Sequence, residues 1–172
     1  MRNTCNRIED LLINAASRFR DKIAIISLSE NCEISFHTWL SDAYAFAGWL
    51  NSNFGDSPEC VILQASNSYS FICAMFGGFI AGKTIVPISP KTDSRTLSFI
   101  LNDCRPVLGL IDENVGKDLY IEKGCDVFEL HQVMDDLKSL NHAKQYLSQN
   151  TKSISNLNDI ALIIYTSGST DL

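Results

Sequence analysis

The chain has 172 residues, of which 45% are hydrophobic and 20% charged, and its formal net charge is −6. This composition is typical of a globular protein and excludes an intrinsically disordered chain. The acidic balance, without clusters of Lys and Arg, argues against a nucleic-acid partner, because phosphate backbones are bound by basic patches. No apolar stretch approaches the roughly 20 residues of a membrane span, and the amino terminus lacks an apolar signal core.

Cysteine usage indicates the redox compartment. Six cysteines are scattered along the chain, with no Cys-x-x-Cys motif and no His at ligand spacing: Cys5, Cys32, Cys60, Cys73, Cys104 and Cys125. The pattern favours reduced thiols over a zinc site or a disulfide framework. It predicts a cytoplasmic protein.

The first third of the chain predicts a helix followed by a small hairpin. Apolar residues recur at helical spacing over residues 7–20, which indicates an amphipathic helix. Residues 22–27 and 34–36 are typical of two antiparallel strands, with a turn at Glu30 and Asn31.

The middle of the chain alternates between strand and helix patterns. Helices are predicted from Thr38 to about Leu50, over residues 69–81, and from a cap at Thr92 or Asp93 to just before Pro106; buried strands are predicted over residues 60–63, 84–88 and 107–111. Repeated units of this kind define an α/β fold of βαβ units, with a mainly parallel sheet covered by helices. The weaker pattern after Asp112 predicts a strand over residues 126–130, one or two helices over 131–147 and an exposed connection over 149–158.

The end of the chain combines an apolar run with a hydroxyl-rich loop. Residues 160–164 are all apolar and predict a short buried strand. The loop that follows is centred on a glycine and consists of Thr166, Ser167, Gly168, Ser169 and Thr170. Its backbone amides and hydroxyls can converge on an anion at the carboxyl edge of a sheet, where open α/β folds bind phosphates. A Ser/Thr turn without a ligand is the alternative interpretation.

A second string also resembles a phosphate-binding motif. Gly77-Gly-Phe-Ile-Ala-Gly-Lys-Thr84 has the spacing of a Walker loop and would make the chain a small P-loop-like NTPase. However, residues 79–81 continue an apolar helical run, whereas a P-loop lies between a strand and the start of a helix. We therefore predict a buried helix over residues 77–81 and a solvated Lys83 at the start of the next strand.

Two stretches together resemble one known family. The first is Ala81-Gly-Lys-Thr-Ile-Val-Pro-Ile-Ser-Pro90, and the second is Asp159-Ile-Ala-Leu-Ile-Ile-Tyr-Thr-Ser-Gly-Ser-Thr170. They are similar to a core segment and to the front of the phosphate-loop signature of the adenylate-forming (AMP-binding) enzymes, which include acyl-CoA synthetases, amino-acid adenylation domains of peptide synthetases and luciferases. The resemblance covers nearly the whole chain.

The resemblance implies that residues 1–172 form a partial N-terminal AMP-binding domain that ends inside the phosphate-loop motif, without the family's C-terminal domain. It assigns Thr166, Ser167, Gly168, Ser169 and Thr170 to the nucleotide phosphates, with ATP and Mg²⁺ as cofactors and a carboxylic or amino acid as substrate. Asp171 stands where the family has glycine, and the family's Pro-Lys-Gly is missing. The expected function is therefore the N-terminal segment of an ATP-dependent carboxylate-activating ligase, inactive alone, with no catalytic residue or metal ligand of its own.

Three functional classes stay open at this point. The first is the ligase segment, completed in cis or by a complementing chain. The second is a non-catalytic truncated α/β interaction module or relic, and the third is the small NTPase. A truncated sheet also predicts self-association through an open edge.

Overall fold

The structure is a computed structural model that describes residues 6–55, 59–113, 115–139 and 158–166. Helices and strands alternate through most of this part of the chain. In chain order they are α1 (Ile8–Phe19), β1 (Ile23–Ser27), β2 (Cys32–Ser35), α2 (Phe36–Phe54), β3 (Cys60–Gln64), α3 (Tyr69–Ile80), β4 (Thr84–Ile88), α4 (Ser94–Cys104), β5 (Leu108–Ile111), α5 (Asp118–Glu122), β6 (Asp126–Glu129) and α6 (Leu130–Ser139).

The predicted helix and hairpin at the start of the chain are confirmed. β1 and β2 pair antiparallel, with Ser27 opposite Cys32, and Asn31 turns the chain with a φ of 48°. β2 ends one residue earlier than predicted, because Ser35 caps α2 by accepting a hydrogen bond from the Thr38 amide at 3.1 Å.

The main sheet has four parallel strands in the order β4-β3-β5-β6, which confirms the predicted α/β fold. β3 is central, and Val61 is aligned with Ile85 on one side and Leu108 on the other. Val61, Ile62 and Leu63 are completely buried. Such continuous apolar runs are typical of parallel strands that are covered on both faces.

The next two strands of the chain pair with opposite edges of β3: β4 lies on one side of it and β5 on the other. Helix α3 lies on one face with α1, α2 and α6, whereas α4 and α5 cover the other face. Right-handed βαβ connections produce this arrangement when the chain first moves to one side of a strand and then to the other. The switch point lies between β3 and β5, and in open α/β sheets ligands bind beyond the carboxyl ends of the strands at such points.

Helix α3 confirms the prediction of a buried helix at residues 77–81. Its last turn contains Gly77 and Gly78, both buried, and Ala81 follows with no exposed surface. A Cβ atom on Gly77 would lie 2.8 Å from the Ala43 carbonyl oxygen, so this glycine lets α3 approach α2 closely. Gly82, with a φ of 72°, then turns the chain into β4. The Walker-like string is thus a helix end and not an anion-binding loop, which excludes it as a P-loop.

The prediction of a solvated Lys83 was wrong, because its side chain is buried. Its Nζ donates to the carbonyl oxygens of Gly55 at 2.7 Å and Phe54 at 3.3 Å, and lies 3.6 Å from a Glu59 carboxylate oxygen. The last carbonyls of a helix have no partner within the helix, and a cation there is favourable. Lys83 therefore closes the carboxyl end of α2.

The later elements are confirmed as far as the structure describes them. β6 and α6 occupy the predicted positions, while residues 140–147 of the predicted helical region and most of the connection up to Asn158 lie outside the described residues. α5 was not predicted. In the described ranges we find no helix with the length and apolar character needed to cross a membrane.

Candidate phosphate-loop site

The segment that leads to the predicted loop lies along the outer edge of β4. The Ile85 amide donates to the Ala161 carbonyl oxygen at 2.9 Å, and the Ile163 amide donates to the Ile85 carbonyl oxygen at 3.0 Å. Leu162 is aligned with Ile85 in a parallel bridge. Because the segment runs parallel to β4, it is directed towards the carboxyl edge of the sheet.

The predicted buried strand over residues 160–164 was wrong in two respects. The segment forms a single bridge and no continuous strand, and Ile160 and Ile164 are 63% and 64% exposed. The physical reason is its place in the sheet. It lies outside β4, and within the described residues no strand pairs with its outer side. A run of apolar residues does not reveal whether a strand has one neighbour or two.

The segment is held to both faces of the sheet. Leu162 contacts the apolar cluster on the α3 face, whereas Ile163 and Tyr165 contact the cluster on the α4 face. The Tyr165 hydroxyl donates to Asp103 Oδ2 at 2.6 Å, and its ring meets Phe99 edge-on with centroids 6.3 Å apart. Burial and the hydrogen bond to Asp103 raise the pKa of Tyr165, so it remains a neutral donor. Tyr165 therefore fixes the chain immediately before the predicted loop.

The structure describes one of the five predicted phosphate-binding residues. Thr166 follows Tyr165 and is exposed. Ser167, Gly168, Ser169 and Thr170 lie outside the described residues, as does Asp171. Their assignment remains a prediction that rests on the chemistry of the donor set, since hydroxyls and glycine amides suit phosphate oxygens.

Polar side chains connect the carboxyl ends of the neighbouring strands. Asp112, directly after β5, accepts hydrogen bonds from the Ser66 amide at 2.8 Å and the Ser66 hydroxyl at 2.7 Å. Buried Gln64 accepts from the Tyr120 hydroxyl at 2.7 Å and donates to the Ser89 carbonyl oxygen at 3.4 Å. These contacts hold the loops after β3, β4 and β5 in fixed positions.

Sequence reasoning did not identify this network. The signal that could have found it was the polar exit from β3 at residues 64–67 and the aspartate directly after β5.

A cavity of about 340 Å³ opens between the loops that follow β3 and β4, lined in part by Ser66, Phe71 and Pro87. Within the described ranges, no three His, Cys, Asp or Glu side chains are grouped so that they could hold a metal ion.

The fold and the edge segment place the chain among the open, doubly wound α/β proteins, whose ligands bind beyond the carboxyl ends of the strands. Within that class, the model of the family described as "AMP-binding enzyme" matches residues 12–171. The chain belongs to this family, as the sequence resemblance predicted.

The curated relatives include large synthases. The chain is 27% identical over 164 residues to a component of the mycosubtilin synthase of Bacillus subtilis, an alignment that covers 95% of this chain and 6% of the relative. It is 26% identical over 174 residues to zwittermicin A synthase ZmaJ of Bacillus cereus, which covers 98% of this chain and 30% of the relative. The chain therefore spans less than a third of the length of either protein.

Solved structures show the same fold. VinN in complex with L-aspartate superimposes with a TM-score of 0.82 at 21% identity, over 95% of this chain and 45% of that chain. The N-terminal subdomain of NpsA from Klebsiella oxytoca, in complex with anthranilyl-AMSN, gives a TM-score of 0.75 at 19% identity, over 95% and 38%. These matches confirm the predicted fold, which is that of the N-terminal part of an adenylate-forming enzyme.

Proposed function

We propose that the chain is the N-terminal segment of an ATP-dependent carboxylate-activating ligase of the amino-acid adenylation type. The observation that carries the proposal is the family match over residues 12–171. The amino-acid type is supported by similarity to a dimodular nonribosomal peptide synthase and to VinN, which has been solved with L-aspartate. The intact enzyme would use ATP with Mg²⁺ and an amino acid or another carboxylic acid in the cytoplasm.

The role proposed for this segment is to hold the nucleotide phosphates. Residues 166–170 would supply amide and hydroxyl donors to the phosphate oxygens. Tyr165, bound to Asp103, would fix the position from which the loop starts. The outer edge of β4 would then act as a rigid support, since positioning contributes most when the supporting elements are themselves fixed.

We also propose that these 172 residues do not form an acyl-adenylate alone. The reaction requires ATP and a carboxylate aligned for attack on the α-phosphorus, with positive charge to meet the developing negative charge. The chain corresponds to 45% of the VinN chain solved with L-aspartate. The remainder would act in cis or be supplied by a complementing chain.

A chimera tests the proposal directly. The chain is joined to the part of zwittermicin A synthase ZmaJ that follows the matched region, and ATP–pyrophosphate exchange is measured across a panel of amino, aryl and fatty acids. We expect background exchange from the 172-residue chain and acid-dependent exchange from the chimera. Thr166→Val and Thr170→Val in the chimera should each lower exchange about tenfold or more, whereas Ser17→Ala, on exposed α1, should leave it unchanged.

Two results would contradict the proposal. Clear exchange by the purified chain alone would show that the missing parts are not required. A folded chimera that exchanges pyrophosphate with none of the acids, while binding no ATP, would favour the non-catalytic interaction module instead.

A further inference from the structure

A groove opens at the edge of the sheet opposite to the segment that leads to the phosphate loop. β6 is the outermost strand on that side, and within the described ranges no strand pairs with its free edge. The groove has a volume of about 450 Å³ and lies between β6, the adjoining helix α6 and Trp49 of α2. Binding pockets for small organic molecules have this size.

Apolar side chains form most of the lining of the groove. Phe128 of β6 is 43% exposed, and its ring meets that of Trp49 at 90° with the two centroids 5.7 Å apart. Phe54 packs edge-on against both rings, with its centroid 5.8 Å from that of Trp49 and 6.5 Å from that of Phe128. Val133 and Leu137, one turn apart on α6, complete the apolar part. The aromatic rings are therefore held in place by packing, and Phe128 remains accessible.

The charged side chains at the groove leave one carboxylate without a cation. Of the three that line it, Lys117 and Glu129 pair with each other, with Lys117 Nζ 2.6 Å from Glu129 Oε1. The third, Asp136, is exposed and accepts a hydrogen bond from the neutral Gln132 amide at 2.9 Å. In the part of the chain that the structure describes, no Lys, Arg or His side chain forms an ion pair with Asp136. The groove thus has one excess negative charge beside its aromatic rings.

An organic cation complements these surroundings. An ammonium group within about 6 Å of an aromatic ring is attracted by the electrons of the ring, most strongly by those of Trp. The Asp136 carboxylate adds a charge of opposite sign at the rim of the groove. An anionic ligand would be repelled by the same carboxylate, and a neutral ligand would gain nothing from it.

We propose that the groove is an accessory binding site for a small organic ammonium ion with an apolar body. The ammonium group lies near the Asp136 carboxylate and the rings of Trp49 and Phe128, and the apolar body contacts Val133 and Leu137. The site is separate from the proposed phosphate site, because the segment that leads to the phosphate loop lies at the β4 edge of the sheet. The proposal therefore does not depend on ligase activity.

The test is a calorimetric titration of the full chain with two probes of nearly the same shape, phenethylammonium and phenethyl alcohol. We expect the cation to bind about tenfold more tightly than the alcohol, and less so at high salt, which screens the exposed Asp136. Asp136→Asn should weaken binding of the cation about threefold or more and leave that of the alcohol unchanged. Asp135→Asn is the matched control, since Asp135 is exposed and lies 3.3 Å from Lys138.

A second variant locates the bound probe. Trp49→Leu removes the larger ring from the groove and should weaken binding of the cation about fivefold or more. Circular dichroism establishes that each variant is folded. Where Trp49→Leu is not folded, the exposed positions Asp136 and Asp135 decide the question alone.

Four results would overturn the proposal. They are no binding of the cation, equal affinity for the cation and the alcohol, wild-type affinity for the cation in Asp136→Asn, and wild-type affinity in a folded Trp49→Leu protein. Loss of cation binding as the protein concentration rises would assign the groove to a second copy of the chain and would also overturn it.

Discussion

Lys83 Nζ donates to the Gly55 carbonyl oxygen at 2.7 Å from a side chain that has no exposed surface. A buried ammonium group is tolerated only when its hydrogens are bound, and here the carboxyl end of α2 and the half-exposed Glu59 provide the acceptors. The contact joins the end of α2 to the start of β4. It makes Lys83 part of the fold and not of a phosphate site.

Replacing Lys83 by Met is expected to destabilise the protein by about 1–3 kcal/mol, because the helix carbonyls lose a charged donor. The free energy of unfolding from urea titration measures the effect. Lys91→Met, at an exposed position in the loop after β4, is the matched control. Equal stability of the two variants would show that the Lys83 contacts contribute nothing.

Glu30 provides a prediction about acid stability. Burial raises the pKa of its carboxyl group, but hydrogen bonds from the Ser70 and Ser27 hydroxyls and from the Tyr69 and Ser70 amides outweigh that effect, so the pKa lies below its ordinary 4.5. The ionised form therefore stabilises the fold above about pH 4.5. This contribution is lost as the pH falls through the lowered pKa of the folded state.

Glu30→Gln should cost about 1–2 kcal/mol at pH 7 and flatten the loss of stability between pH 5 and pH 3, since hydrogen bonds to a carboxylate become neutral ones. Urea unfolding at a series of pH values measures both effects. Glu33→Gln, at an exposed position on β2, should keep the wild-type pH dependence. A Glu30→Gln protein with the same acid slope as the wild type would contradict the assignment.

The contact between α2 and α3 predicts a cost for Gly77→Ala. The added methyl group would meet the Ala43 carbonyl oxygen and the Phe46 side chain, each at 2.8 Å. We expect a loss of about 1–3 kcal/mol, which exceeds the gain in helix propensity. Gly116→Ala, whose Cβ would meet no atom within 4 Å, should have little effect in the same thermal or urea unfolding measurement.

The exposed edge segment predicts association between copies of the chain. Ile160 and Ile164 lie on the outermost part of the described sheet, and edges of this kind pair readily with other chains. Light scattering should show concentration-dependent self-association, together with binding of a hydrophobic dye. Ile164→Lys should reduce both. Ile121→Lys on α5, at 62% exposure compared with 64% for Ile164, should change neither.

Most of the fold could be predicted because its signals are local. β3, β4 and β5 are short apolar runs, and the helices between them have clear caps, such as Asp93 at the start of α4. The structure confirms the order of these elements. By contrast, α5 has five residues, too few for a helical period to be visible.

The features that the sequence could not provide depend on distant parts of the chain. The burial of Lys83 requires the carbonyls at the end of α2. The exposure of Ile160 and Ile164 depends on which strands are neighbours. The phosphate loop itself was suggested by its composition and by the family signature, and Ser167–Thr170 remain a prediction because they lie outside the described residues.

The central place of β3 has a consequence for biosynthesis. Both of its partners, β4 and β5, follow it in the chain, so the ribosome releases Val61, Ile62 and Leu63 before either neighbour exists. At about 5–20 residues per second, this apolar strand stays uncovered for a few seconds while the nascent chain lengthens. Changes that delay the docking of β4 or β5 are therefore expected to lower the yield of soluble protein during translation, even when the finished fold is equally stable.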